Sequence, residues 1–329
     1  MGGLAGTRDW IERAGVIGIV DVMRNYGYFR RQFATALKEI VRERPDAVVL
    51  IDYPGFNLRL AAAVKKAGGT KVIDYISPQV WAWNRGRIPK MARVLDLMIC
   101  IFPFEKRLYE ESGLKTVFVG HPMLDSLPGK RIEGGREGNL LGLFPGSRER
   151  EVRKIFPVML EAAKVLAETR RELRIEAAAA SDEMRRCMEE IARGYPEVRC
   201  EMGVKTSHEL MQRATAGMVA SGTATLEAAY FGLPFVVIYK AAWVTFAIGR
   251  RLVKVKWLGM PNILAEREVA REYLQEDAQG EAIAKEVGGL LDDPEARERM
   301  QGELRGVIEK LGEPGASERA AEAVLEIAG

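Results

Sequence analysis

Short apolar, β-branched runs alternate along this chain with longer stretches whose apolar positions recur every three to four residues. Residues 28–43 place Phe29, Phe33, Leu37, Ile40 and Val41 on one face, which predicts a helix. "RPD" ends it, and "AVVLID" (47–52) reads as a buried strand. A helix follows in "LRLAAAVKKAGG", with Gly68 and Gly69 as its stop signal. Strand 71–76, a helix near 86–94, strand 97–102, a helix near 103–112 and strand 116–120 continue the alternation. It restarts with strand 140–144, helix 149–169, strand 173–179, helix 182–193, strand 198–202, helix 207–213, strand 217–221, helix 223–231 and strand 235–239. Strand–helix alternation of this kind predicts parallel sheets covered on both faces.

The polar, Gly-rich stretch "GKRIEGGREG" (129–138) separates the two series and is the best linker candidate. We therefore expect an α/β chain of two Rossmann-like, doubly wound domains facing across a cleft, a favoured place for a ligand. The expected boundaries are 1–134, 135–310 and a C-terminal helix in 311–329 that packs back on the first domain.

Composition narrows the function classes. The chain has 329 residues, 47% hydrophobic and 29% charged, which is globular rather than disordered. A net charge of +3 gives no argument for nucleic acid. Cys100, Cys187 and Cys200 form no CxxC pair and have no histidine at ligand spacing, so reduced thiols in a cytoplasmic protein are expected, with no metal. The start "MGGLAGTRDW" lacks a signal-peptide pattern, and no apolar run approaches the about 20 residues of a membrane span.

Two strand–loop–helix openings suit an anion. In "LFPGSRERE", Gly146, Ser147 and Arg148 stand at a helix start, where free N–H groups and the dipole favour negative charge. The alternative is a solvated first turn whose Glu149 and Glu151 offset the arginines. In "ASGTATLEAAYFGLP", Ser221, Gly222 and Thr223 open a helix that carries Glu227 one turn in, within reach of a ribose diol. Its alternative is an ordinary tight turn followed by an exposed glutamate. Asp52 lies at the carboxyl end of a strand, where open α/β sheets bind ligands, or else caps the next turn. Trp81 and Trp83, flanked by Arg85, Arg87 and Lys90, suit either a core or an amphipathic ligand. In 241–257, Trp243, Phe246, Arg250, Arg251, Lys254 and Trp257 mix aromatic and basic character, which fits an anionic membrane surface as well as core packing with snorkelling cations. His121 in "GHP" reads as structural and His208 as a surface residue at a helix start.

In order, "IDYPGFN", "YISPQVWAW", "PFEKRLYEESG", "FVGHPMLD", "LFPGSRERE", "ASGTATLEAAYFGLPFVVIY", "PNILAEREVAREYLQED" and "AAEAVLEIAG" resemble the bacterial lipid-A-disaccharide synthase family. The resemblance runs from about Gly15 to the end. It implies an inverting glycosyltransferase of the GT-B type without a cofactor. The implied substrates are UDP-2,3-diacylglucosamine and 2,3-diacylglucosamine 1-phosphate, and the implied place is the inner face of the inner membrane, as a peripheral protein. It implies Asp52 as general base, Arg148 opposite the leaving pyrophosphate, Gly222 and Thr223 on a phosphate and Glu227 on the ribose. Asn262, Glu266 and Gln275 match the next motif block and are expected to line the cleft. A homodimer stays open. Two departures stand out: the family's first strand and Gly-rich loop are not matched, so an incomplete, less stable first domain with weak or absent catalysis is expected, and Gly55 replaces the family's second acid. The rival readings are another GT-B enzyme, such as a UDP-N-acetylglucosamine epimerase or the peptidoglycan N-acetylglucosaminyltransferase, and a relative that binds nucleotide or lipid without turnover.

Overall fold

The computed structural model describes residues 26–240 and 256–329. The first series of elements is α1 (Tyr26–Glu43), β1 (Ala47–Ile51), α2 (Pro54–Ala67), β2 (Lys71–Tyr75), α3 (Val80–Trp83), α4 (Ile88–Val94), β3 (Leu97–Cys100), α5 (Pro103–Glu110), β4 (Thr116–Phe118) and α6 (Met123–Ser126). The second series is β5 (Leu140–Phe144), α7 (Glu149–Thr169), β6 (Arg174–Ala179), α8 (Asp182–Ala192), β7 (Cys200–Val204), α9 (Ser207–Arg213), β8 (Ala216–Ala220), α10 (Ala224–Tyr230) and β9 (Phe235–Tyr239). After the undescribed stretch come α11 (Met260–Ala265), β10 (Glu272–Leu274), α12 (Gly280–Asp292), α13 (Pro294–Glu309) and α14 (Ala316–Ala328).

Two parallel sheets result, in the order β1-β2-β3-β4 and β10-β9-β8-β5-β6-β7. In the second sheet the chain runs outward from β5 to β7, then returns to the other side of β5 with β8. The carboxyl ends of β5 and β8 are therefore a topological switch point, where the loops diverge and leave a crevice. The central strands β5, β8 and β9 of this sheet are buried on both faces, with Leu141, Leu143, Met218, Val236 and Phe235 each fully covered.

Helix α7 is the main cover of this sheet, with Val152, Ile155, Phe156, Met159 and Leu166 on one face. Helix α12 lies against it at close range. A Cβ on Gly280 would stand 2.7 Å from Glu161 Cβ and 3.1 Å from the backbone nitrogen of Ala162. Gly280→Ala should therefore cost about 1–3 kcal/mol by overpacking. It should appear as a lower denaturation midpoint at constant m-value.

The stretch 129–138 is fastened at its far end. The Arg136 guanidinium donates to the carbonyls of Met211 (2.9 Å), Ala214 (2.7 Å) and Phe231 (2.7 Å), and Glu137 accepts from Arg174 and Arg213. At the other end of the chain, α14 packs on the first sheet: Ala320 and Ala323 join Ile73, Leu97, Ile99 and Val119. Asp125 fixes the start of α14 by accepting from the backbone N–H groups of Gly315 (2.6 Å) and Ser317 (3.1 Å).

Candidate active site

The two anion-friendly loops sit at the switch point. Gly146 follows β5 with φ of +107°, a conformation that side chains rarely adopt, and lets the chain turn into α7. Arg148 is the residue before α7 and is exposed. Its Nη1 donates to Glu151 Oε1 at 2.9 Å, and the other carboxylate oxygen of Glu151 lies over Gly146. Arg148 is thus held by the first turn of its own helix. An exposed pair of this kind is worth about 0.2–1 kcal/mol, so an incoming dianion outcompetes it easily.

The second loop follows β8. Gly222 has φ of +151°, is exposed, and has open space where a Cβ would be. Thr223 is exposed beside it. Ser221 is tied to the Leu258 carbonyl through its hydroxyl at 3.2 Å. Glu227, on α10, is half-buried, and its Oε2 lies 3.5 Å from His208 Nε2 on α9. The ring of His208 packs on Phe231. Sequence spacing gave no sign of this contact, because α9 and α10 meet only through the fold.

Three residues expected to line the cleft separate in the structure. Asn262 is a correction: it is fully buried and its amide is spent internally. Its Oδ1 accepts from the N–H groups of Val269 and Ala270, and its Nδ2 donates to Ala270 O and Glu272 Oε1. Glu272 also accepts from Leu258 and Gly259 N–H at 2.9 Å each, and burial outweighs these donors and holds its pKa above the ordinary value. Asn262 therefore shapes the loop that carries Ser221's partner. Glu266 is exposed in a left-handed conformation. Gln275, also left-handed, donates its backbone N–H to Tyr239 at the carboxyl end of β9. Its buried side-chain nitrogen has no hydrogen-bond partner among the described residues.

On the first sheet, Asp52 is exposed at the carboxyl end of β1. Asp52 and Tyr53 are both left-handed, with φ of +51° and +44°. Two such residues in succession are strained, and Asn57 braces them by donating to the carbonyls of Ile51 (3.1 Å) and Asp52 (2.6 Å). A Cβ on Gly55 would meet nothing within 4 Å.

Trp81 belongs to the core. It is buried, donates its indole N–H to Glu105 at 3.0 Å and packs edge-on against Phe104. Burial pushes the Glu105 pKa up to about 7 despite donors from Ser77, Phe102 and Trp81. Trp81 and Phe102 share an apolar cluster with Leu226 of α10, Met260, Leu264 and Leu311, which joins residues of the two series. The ring of His121 lies against Phe102. Its Nδ1 accepts from Met123 N–H at 3.2 Å, and burial lowers its pKa to about 4.

Trp243, Phe246, Arg250, Arg251 and Lys254 lie outside the described residues. Trp257 is half-buried with Lys256 over its ring. Among the described residues no group of three potential metal ligands occurs, and no helix is long and apolar enough to cross a membrane.

The family model for lipid-A-disaccharide synthetase matches residues 9–327. The lipid-A-disaccharide synthase of Persephonella marina is 37% identical, covering 98% of this chain and 88% of that protein. Its counterpart in Geobacter metallireducens is 40% identical, covering 95% and 83%. Among solved structures, a UDP-GlcNAc 2-epimerase from Neisseria meningitidis bound to UDP-GlcNAc aligns with a TM-score of 0.60 at 12% identity, over 91% of this chain and 81% of that one. A putative UDP-N-acetylglucosamine 2-epimerase from Listeria monocytogenes aligns with a TM-score of 0.59 at 15% identity, over 90% and 78%. These structural likenesses place the fold among GT-B glycosyltransferases and epimerases.

Proposed function

The chain belongs to the lipid-A-disaccharide synthetase family, and from that membership we propose that it joins UDP-2,3-diacylglucosamine to 2,3-diacylglucosamine 1-phosphate. The products are the β-1,6-linked disaccharide 1-phosphate and UDP. The protein is a glycosyltransferase enzyme of lipid A biosynthesis.

One observation carries the mechanism: the Gly146–Arg148 and Ser221–Thr223 loops converge at the switch point of the second sheet, with Glu227 half-buried beside them. Backbone N–H groups of Gly222 and Thr223 receive a phosphate, and Glu227 takes the ribose hydroxyls. His208, 3.5 Å away, keeps the Glu227 carboxylate turned towards α9. Asp52 accepts the proton of the acceptor 6-hydroxyl as its oxygen attacks the anomeric carbon. The bond from that carbon to the diphosphate breaks on the opposite side, which inverts the centre. UDP leaves with its bond electrons, and Arg148, released from Glu151, neutralises the charge that grows on it. Gln275 offers an unspent amide at the same end of the sheet. The acyl chains of both substrates reside in a bilayer, so the proposal includes peripheral attachment to the anionic inner face of the inner membrane, with the aromatic–basic sequence 241–257 as the contact.

Calorimetry with UDP tests the nucleotide half of this reading. Glu227→Ala should weaken UDP binding by about ten- to a hundredfold, the loss expected for hydrogen bonds to a charged group. UDP affinity unchanged by that substitution would move the ribose elsewhere.

A further inference from the structure

Asp74 is a buried acid with no part in the mechanism above. It stands one residue before the carboxyl end of β2, only 2% exposed, between Leu50 of β1 and Met98 of β3 in the strand register. Leu50, Val72 and Met98 point into the apolar cluster under α2, α4 and α5, with Val80, Met91 and Tyr109. Asp74 occupies the same face of the sheet as these residues. No carboxylate belongs in such a wall unless it stays protonated or finds a cation. Lys65 of α2 is engaged with Asp96. The titratable groups that surround it are Asp52 at the end of β1, Tyr109 on α5 and, behind Tyr109, Glu105 on α5 and Cys100 on β3. Burial, reinforced by the Asp52 carboxylate, pushes the Asp74 pKa up to about 8.

Asp52 is attached to this wall directly. Its backbone N–H donates to the carbonyl of Tyr75, the residue after Asp74, at 3.2 Å. The strained Asp52–Tyr53 turn therefore rests on the segment of β2 that contains Asp74.

We propose that Asp74 is a positioning residue for Asp52: its uncharged carboxyl group closes the apolar wall beneath the Asp52–Tyr53 turn and so fixes where the Asp52 carboxylate meets the acceptor. This inference rests on the reading of Asp52 as the acceptor-side base. Ionisation of Asp74 places a second negative charge beside Asp52 and a bare charge in an apolar wall. Water enters or β2 shifts, and in both cases the braced turn above loses its geometry. The catalytic site then fails on the alkaline side.

The test pairs a carboxyl-carbon NMR titration of aspartate-labelled full-length protein with the pH profile of kcat/KM. One aspartate resonance, identified by its loss in Asp74→Asn, should titrate near pH 8 and move to lower pH in Asp52→Asn, where the like charge is gone. In the parent enzyme, kcat/KM should fall about tenfold per pH unit above that midpoint, and in Asp74→Asn the profile should stay flat to pH 9. A resonance titrating below pH 5, a midpoint unmoved by Asp52→Asn, or an alkaline limb retained in Asp74→Asn would each overturn the proposal. Undiminished turnover in Asp52→Asn would instead overturn the base assignment on which it rests, whatever the titration shows.

Discussion

Arg148→Ala should lower kcat by about 10²–10³, equivalent to about 2.7–4 kcal/mol of transition-state stabilisation, the loss typical of one preorganised charge-stabilising group. The expectation follows from where the charge develops. A leaving nucleoside diphosphate gains negative charge as the glycosidic oxygen departs, and Arg148 stands on the loop at the switch point where that oxygen would be released. Its partner in the structure, Glu151, is three residues away on the same helix turn and partly solvated. That pair contributes little to stability, so the substitution should leave the denaturation midpoint nearly unchanged. Arg148→Lys keeps a charge but loses the planar fork, and should fall between the parent and the alanine variant. Steady-state kinetics check this: the loss should sit in kcat and kcat/KM together, with a smaller change in KM. A rise in KM at constant kcat would mean that Arg148 only binds the ground state.

The second large effect is on stability. Asp74 carries a folded-state pKa of about 8 against an ordinary 3.8. A raised pKa means that the folded protein holds a proton that the unfolded chain releases. Stability from this group is complete below about pH 4 and is lost progressively as pH rises to about 8. Each pH unit in that window costs about 1.4 kcal/mol, and partial hydration of the unfolding wall reduces the sum to about 2–4 kcal/mol at pH 7. Asp74→Asn, which keeps the shape without the titration, should therefore be more stable than the parent at pH 8 and close to it at pH 5. The comparison is a difference between two curves. Glu105, raised to about 7 by burial, weakens the fold in the same direction in both proteins. His121, lowered to about 4, weakens both as pH falls from 6.5 towards 4. Both contributions cancel in the difference. Urea denaturation at pH 5, 7 and 8.5 measures it, and parallel curves for parent and variant would show that Asp74 does not titrate in this window.

The sequence was most informative where a local pattern decides the structure. Helices 149–169 and 207–213 and strand 235–239 lie where periodicity places them, because each has a strong apolar face or an unbroken apolar run. The loops at Gly146 and Gly222 were legible because a turn before a helix needs small residues with unusual backbone angles. The three-residue strand β10 and the helices α12 and α13 were not read, since β10 is too short to show an alternation and charged residues, Glu295, Arg297, Glu298, Arg299, Glu303, Arg305 and Glu309 among them, interrupt the apolar pattern of α13. What sequence reasoning missed at the site is tertiary. Glu227 meets His208 only because α9 and α10 pack together, and Asn262 spends its amide on Val269 and Ala270 after the chain doubles back. Asp74 hides inside a run that reads as an ordinary strand, "KVIDYI". Only the register of β1, β2 and β3 reveals that its side chain lies on a covered face beside Asp52.

The most direct test of the whole account is a turnover assay on the purified chain, following UDP release and the sugar product together. UDP should be released only when UDP-2,3-diacylglucosamine and 2,3-diacylglucosamine 1-phosphate are both present, with one disaccharide 1-phosphate formed per UDP. Epimerisation or hydrolysis of unacylated UDP-N-acetylglucosamine, with no disaccharide from the acylated pair, would contradict it.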